Sequence, residues 1–316
     1  MKAIVMKGFG GTEALIWQEI PTPTPTPGEV LIRIRAAGVN PVDWKIGEGG
    51  LARLFPCAFP LIPGWDAAGT IAALGEDVSG FAVGDRVWSF CRKPIIQWGT
   101  YAEYVTMPAH AVALMPGSLS FSQASAIPLA GLTAWQSLFD VAQLRPGQTV
   151  LIHAAAGGVG SLAVPLAKWV GATVIATART ANHDYVRSLG ADHIIDYTTD
   201  DFVTAVKALA PTGVDLAFGT VGGDVLTRSY DVVRAGGLLI SITDKTDKDR
   251  AESRGIRVKY VFVKPDGPQL QRLAGLLDSK TLRPPEIMEI PLTQAAEAME
   301  LSKIGHVRGK IILTVD

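Results

Sequence analysis

Four residues, Gly157, Gly158, Val159 and Gly160, sit where a chain could grip a phosphate. They follow an apolar, β-type run over residues 149–152 and precede about three helical turns that end near Gly171. Glycines at such a junction let the backbone turn sharply and approach an anion without a Cβ in the way. The helix start beyond them offers unpaired N–H groups and a partial positive charge. A second β-branched run, residues 173–177, completes a βαβ unit of roughly 30 residues, the size expected of a dinucleotide-binding fingerprint. A tight βα turn of no further purpose has the same glycines, and the context on both sides favours dinucleotide binding. The same stretch is too interrupted to span a membrane, because His153, Pro165, Lys168 and its glycines break the apolar run.

About 20 residues beyond the glycines, an NAD-specific site places an acidic side chain on the ribose hydroxyls. Here the chain reads Ala178-Arg179-Thr180. A guanidinium fork suits a phosphate, so Arg179, with Asn182 beside it, points to NADP(H) as cofactor. The alternative for Arg179 is a solvent-facing side chain.

The elements that must position these residues follow from pattern. After residue 120 the chain alternates helix and strand: helices near 122–130, 133–142, 182–189, 200–210 and 225–234, and strands near 193–196, 214–218, 238–242 and 256–263. Gly190 and Pro211 stop two of the helices. Such alternation predicts an α/β fold with a doubly wound parallel sheet. Pro165 removes an N–H inside the helix after the glycines and predicts a bend. Residues 244–254 are highly charged and read as a surface loop. Residues 1–118 read instead as short strands (3–6, 16–20, 30–36, 68–73, 86–90, 101–107) punctuated by Gly and Pro, a partly barrel-like β domain. Pro21, Pro23, Pro25 and Pro27 make an extended connector between two of them. The tail carries helical patterns at 269–278 and 293–303 and a closing strand at 310–315.

At 316 residues the chain has room for two domains. Hydrophobic residues at 48% and charged ones at 19% describe a well-packed chain, and a net charge of −1 gives no footprint for nucleic acid or an anionic membrane. Two cysteines, Cys57 and Cys91, are too few for a disulfide framework and lack metal-site spacing. The N-terminal apolar run is too short for a signal peptide. A cytoplasmic, reducing setting is the expectation.

Several segments, in this order, resemble the zinc-independent quinone oxidoreductase branch of the medium-chain dehydrogenase/reductase superfamily: AAGVNPVDWKIGEG, IPGWDAAG, VGDRVW, GTYAEYV, PLAGLTAWQSL, HAAAGGVG, LGADHIIDY, TVGGDVL and GHVRGKIILTV. The resemblance covers nearly the whole chain. It implies a β-rich GroES-like catalytic domain (residues 1–119 and 264–316) with a Rossmann dinucleotide-binding domain (120–263) inserted, and a nicotinamide held in the cleft between them. It implies that Asn40 contacts the nicotinamide ribose or polarises the substrate, that Asp43 and Lys45 orient substrate, and that Thr133 positions the carboxamide. Ala156, Tyr197, Val221, Arg308 and Lys310 join the cofactor contacts by the same likeness. Trp44, Trp65 and Trp98 suit either flat walls for an aromatic or enone substrate, or the core. The branch implies a homodimer, in which the strand near 258–263 pairs with its twin.

Departures matter too. Where alcohol dehydrogenases of the superfamily place a cysteine and a Gly-His-Glu segment on zinc, this chain has Asn40 and Gly64-Trp65-Asp66. An amide and an indole are poor zinc ligands, so no metal is expected. Gly219 stands where relatives commonly carry aspartate. The reading that results is an NADPH-dependent oxidoreductase acting on quinones or α,β-unsaturated carbonyls, with a small-molecule substrate and neither nucleic acid nor membrane as partner. A zinc-type alcohol dehydrogenase is argued down by the ligands. A nicotinamide-binding sensing or structural protein with little turnover stays open.

Overall fold

The computed structural model describes residues 1–315, which divide into two compact units: Met1–Leu132 with residues 264–315, and Thr133–Val263. Residues 120–132 thus group with the first unit, whereas the sequence boundary falls at 119/120.

The first unit is built on a seven-stranded sheet. Its path runs Ile287–Pro291, Lys310–Thr314, Glu29–Gly38, Asp66–Leu74, Arg86–Phe90 and Val112–Leu114, and Tyr104–Pro108 pairs with Glu29–Gly38. All these pairings are antiparallel except that between Ile287–Pro291 and Lys310–Thr314. The period of two at 30–36 is visible in burial: Ile32, Ile34 and Ala36 face the core while Arg33 and Arg35 face out. Burying such an isoleucine contributes roughly 1.5–3 kcal/mol. The C-terminal strand lies antiparallel beside Glu29–Gly38, with Ile312 opposite Gly38. That register carries Lys310 alongside Val39 and Asn40.

The second unit holds six parallel strands in the spatial order His193–Ile195, Thr173–Thr177, Thr149–Ile152, Val214–Gly219, Val233–Ser241, Arg257–Tyr260. In sequence rank this is 3-2-1-4-5-6, the doubly wound Rossmann order, with its switch point beside Thr149–Ile152. Val150, Leu151 and Ile152 are wholly buried, as a strand covered on both faces requires.

The structure corrects several expected elements. The helix read at 122–130 is two pieces, Phe121–Ser125 and Pro128–Trp135, because Pro128 cannot continue the first. Its start is set by Ser120, whose hydroxyl accepts from the Gln123 N–H while the Gln123 side chain accepts from the Ser120 N–H. The stretch expected as helix at 133–142 widens into a π-type segment, Gln136–Val141. The helix read at 225–234 is Gly223–Ser229, and the next strand starts early, at Val233. Within the charged loop at 244–254, Asp247 caps a short helix, Lys248–Ser253. Cys57–Ile62, Ile96–Trp98, Val112–Leu114 and Ile287–Pro291 are strands too short or too irregular in pattern to be read. The strand read at 101–107 is Tyr104–Pro108. Helix Gly160–Trp169 continues through Pro165. At Gly219 a Cβ would stand 3.0 Å from the Ile240 carbonyl oxygen and 3.1 Å from Leu226 Cδ1, so a side chain there requires these neighbours to give by a few tenths of an ångström. No helix among the described residues is long and apolar enough to cross a membrane.

Candidate functional site

In the second unit the chain leaves strand Thr149–Ile152 through His153 and Ala154. Ala154 adopts the left-handed φ of 46°, a conformation that costs an alanine about 1 kcal/mol. Gly157 then turns back to donate to the Ala154 carbonyl at 2.9 Å, and Gly160 opens a ten-residue helix. A Cβ on Gly160 would fall 2.4 Å from the Ala154 oxygen and 2.6 Å from the Ala155 Cα, so only glycine lets the helix start this close to the strand. A Cβ on Gly157 would meet nothing nearer than the Ala154 oxygen at 3.3 Å. The turn is therefore a cradle with an open rim at the positive end of helix Gly160–Trp169, whose Ser161, Leu162 and Ala163 amides donate back to the Gly157 and Val159 carbonyls of the turn. It fits the pyrophosphate of a dinucleotide.

His153 is the buried histidine of this turn. Its ring nitrogens lie 3.2 Å from Thr177 Oγ1 and 3.0 Å from Ser229 Oγ, and burial pushes its pKa down to about 4. It is a neutral core residue that ties three elements together. Thr220 Oγ1 donates to its carbonyl at 2.6 Å and so fixes the loop that carries half-buried Val221.

Beyond the second strand, Arg179 turns toward the end of the third. Its Nε donates to the Tyr197 hydroxyl at 2.8 Å, and its guanidinium carbon lies 5.9 Å from that ring's centroid. Tyr197 is 47% exposed. Asn182 is the residue before helix His183–Ser188, and its side chain makes no capping bond. Ala156 and Thr133 are buried.

The first unit brings together a different set. Asn40, Asp43, Tyr101, Asp66 and Lys310 are all buried, with Asp66 at 0% and Lys310 at 4% exposure. The Lys310 ammonium donates to the Val39 carbonyl at 2.7 Å and to Asn40 Oδ1 at 2.5 Å, and stands 3.6 Å from Asp66 Oδ2. The Asn40 amide nitrogen donates to Asp66 Oδ2 at 2.8 Å and to the Gly38 carbonyl at 3.3 Å. The Asn40 side chain is thus held with its oxygen on the cation and its nitrogen on the anion. Asp66 Oδ1 accepts from Leu129 N–H at 2.7 Å, at the start of helix Pro128–Trp135. Burial pushes the Asp66 carboxyl up and the Lys310 ammonium down, and each group's opposite charge resists the shift of the other.

Asp43, three residues after Asn40, folds back so that its Oδ2 accepts from Asn40 N–H at 2.8 Å and from the Tyr101 hydroxyl at 2.9 Å. Oδ1 is buried and has no hydrogen-bond partner. Burial raises this carboxyl to about 7, against the pull of those donors and of Lys310.

The structure thus brings Asn40, Asp43 and Lys310 into one network and leaves Lys45 out of it. The Lys45 ammonium lies 5.4 Å from the centroid of the Trp44 ring. Arg308 forms a surface ion pair with Glu286 at 2.7 Å. Trp65 is buried against Phe55 and Phe90, a core position, whereas Trp98 is 40% exposed. Sequence reasoning missed Asp66 and Tyr101 as members of the network. Asp66 enters the sequence reading only as the last residue of Gly64-Trp65-Asp66, although a carboxylate in an otherwise apolar run asks for a partner.

Residues 26–117 match the family described as alcohol dehydrogenase GroES-like domain, and residues 189–313 the one described as zinc-binding dehydrogenase. A quinone-oxidoreductase homolog, chloroplastic, of Spinacia oleracea is 33% identical over 328 residues, covering 99% of this chain and 98% of that one. The synaptic vesicle membrane protein VAT-1 homolog of Rattus norvegicus is 37% identical over 244 residues, 76% of this chain, and the match spans 59% of that protein's length. The crystal structure of Escherichia coli quinone oxidoreductase complexed with NADPH superposes with a TM-score of 0.90 at 27% identity, covering 100% of both chains.

The zinc in one family description finds no fitting donors here. Asn40 and Asp66 are spent on Lys310 and on each other, and an ammonium stands among them. Burial holds the Cys91 thiol near 12, so it offers no thiolate. Among the described residues no three histidine, cysteine or acidic side chains converge as a metal site. The two family matches, the quinone-oxidoreductase homolog matched over nearly its whole length and the superposed quinone oxidoreductase agree with the GroES-like and Rossmann units: the chain belongs to the zinc-independent quinone oxidoreductase branch of the medium-chain dehydrogenase/reductase superfamily.

Proposed function

We propose that the chain is an NADPH-dependent oxidoreductase that reduces quinones or α,β-unsaturated carbonyls without a metal. The observation that carries the reading is the end of the second Rossmann strand, where Arg179 is set against Tyr197 and no acidic side chain follows Ala178. A ribose hydroxyl pair wants a carboxylate there, and a 2′-phosphate wants a guanidinium. The relative bound to NADPH supports the same choice.

When bound, the nicotinamide supplies the hydride. The chain's own residues bind and orient. The glycine turn and helix Gly160–Trp169 hold the pyrophosphate, and Arg179 and Tyr197 hold the 2′-phosphate. The Asn40 amide has its oxygen on Lys310 and its N–H groups on Asp66 and Gly38, so it fixes the start of helix Pro41–Gly47 rather than donating to substrate, and backbone N–H groups are left to meet developing charge. Such modest stabilisation suits an acceptor that spreads charge over a conjugated system. A simple ketone concentrates it as alkoxide, where zinc-type relatives use a metal.

NADPH oxidation followed with a panel of small quinones, enones, ketones and alcohols tests the proposal. Turnover of quinones or enones is expected, with saturated ketones and alcohols nearly inert. Faster alcohol oxidation would overturn the mechanism, and tight nucleotide binding without turnover on any acceptor would favour a sensing role. In the same preparation, elemental analysis should find zinc well below one equivalent, and a chelator should leave the rate unchanged. A firmly held equivalent of zinc would contradict the assignment of Lys310 to that place.

We further infer a homodimer in a cytoplasmic setting. Strand Arg257–Tyr260 ends the parallel sheet with Tyr260 38% exposed, and an open edge of this kind is normally covered. Pairing with a second copy by two-fold symmetry covers it economically. Light scattering should give twice the chain mass at micromolar concentration, and a single chain mass would refute the dimer.

A further inference from the structure

Next to Tyr197 stands an acidic residue whose arrangement the reaction itself does not call for. Asp196 follows the third Rossmann strand and is 5% exposed. Its Oδ1 accepts from the Thr198 N–H at 2.8 Å and from the Thr198 hydroxyl at 2.6 Å. Its Oδ2 accepts from the Thr180 N–H at 2.8 Å and from the Thr180 hydroxyl in a very short bond. Four donors therefore saturate one carboxylate, two from the loop after the second strand and two from the loop after the third. The hydroxyl bonds from Thr180 and Thr198 hold the carboxyl far below the usual range, so it is ionised across the physiological span.

The geometry has a consequence for the neighbours. Arg179 precedes Thr180, and Tyr197 lies between Asp196 and Thr198. Just past the backbone bond from the Ala178 N–H to the Ile195 carbonyl at 3.0 Å, Asp196 stitches the two loops together where the Arg179 Nε meets the Tyr197 hydroxyl. A fork aimed at a phosphate works only if its base is fixed, because ordering a long arginine otherwise costs about as much as a hydrogen bond returns. A bare carboxylate so near would repel a phosphate. The four donors take up its lone pairs but leave its charge in place, a cost that the fixed fork must outweigh.

We propose that Asp196 is a specificity-determining positioning residue: buckled between Thr180 and Thr198, it holds Arg179 and Tyr197 as one preformed site for the 2′-phosphate of the dinucleotide. The inference rests on the NADPH reading of Arg179 and deepens it. It assigns to Asp196 discrimination between phosphorylated and unphosphorylated ribose, with no part in binding the rest of the nucleotide.

Isothermal titration of the purified full chain with adenosine 2′,5′-bisphosphate and with AMP separates the two ideas, since the probes differ only in the 2′-phosphate. The wild-type chain should prefer the bisphosphate by at least roughly tenfold, the scale of one charge-assisted contact. Arg179→Ala should abolish that preference. Equal binding of both probes by the wild type would overturn the NADPH reading itself. If the wild type discriminates and Arg179→Ala does not, Asp196→Ala decides the present proposal. The preference should fall by about tenfold while AMP affinity stays within about twofold. Asp196→Asn, which keeps an oxygen for one threonine, should fall between. An unchanged preference, or parallel loss of both probes, would overturn the role of Asp196 and leave Arg179 in place. Thr198→Val retains the charge and removes one hydroxyl, so it keeps the test open should Asp196→Ala misfold. A severalfold drop in preference is expected from it, and none would count against the buckle.

Discussion

Replacing Lys310 with methionine should lower folding stability by about 3–5 kcal/mol, the cost of stranding one partner of a buried ion pair. The side chain lies at 4% exposure, and its ammonium serves the Val39 carbonyl, the Asn40 amide oxygen and Asp66 together. Methionine fills much of the same volume, so the loss is electrostatic rather than a cavity. Asp66 would keep its bonds from Asn40 and Leu129 but would carry an uncompensated charge with no water to take it up. Adding Asp66→Asn to the lysine variant should recover part of the loss, because a neutral amide no longer needs the cation. Urea unfolding of the wild type, both single variants and the double variant gives the coupling directly. A loss under about 1 kcal/mol would mean the pair behaves like an exposed one and the network is not what holds Asn40.

That network shows where sequence reasoning reaches and where it stops. Residues 149–177 announce themselves because a strand covered on both faces is a continuous apolar run, and because a glycine turn before a helix has few other causes. Arg179 is legible for a similar reason: a local position, counted from the glycines, carries a known demand. Asp66 and Tyr101 are not, since their partners come from Lys310 at the far end of the chain and from Asp43 on another element. Nothing local marks them. The Asp196 buckle was half visible. Tyr197 is marked by resemblance and flanked by Asp196 and Thr198, yet the carboxylate's other partner, Thr180, lies beyond the preceding helix. The early β domain is legible in kind but not in detail, because strands of three residues such as Ile96–Trp98 are too short to show a period. Helical pattern likewise hid the break at Pro128, where the hydrophobic positions run on through a change of direction.

Asp43 should make the stability of the fold depend on pH in the direction opposite to most carboxylates. Its folded pKa, about 7, lies above the ordinary 3.8, because the buried site disfavours the charge more than its donors support it. Oδ2 is already filled by the Asn40 N–H and the Tyr101 hydroxyl, so the proton belongs on Oδ1, which has no partner. The charged groups that face it are Lys310 and Asp66, with Tyr101 neutral because burial and Asp43 itself hold its hydroxyl well above the usual range. Below the ordinary pKa both folded and unfolded chains carry the proton, and the contribution is complete. Between 3.8 and about 7 the folded chain binds the proton and the unfolded chain does not, so stability falls as pH rises. Above about 7 the contribution is gone. The span amounts to roughly 3–5 kcal/mol. Asp43→Asn mimics the protonated acid and removes this dependence while leaving every other titration in place. Its amide oxygen can still accept from Asn40 and Tyr101. The stability of the wild type minus that of Asp43→Asn, taken from urea unfolding at a series of pH values, should therefore drop steadily from about pH 4 to about pH 8. At the upper end the variant should be the more stable of the two. A difference that stays flat over this range would show that Asp43 is ionised in the fold throughout. The unpartnered oxygen would then need another explanation, such as an internal water.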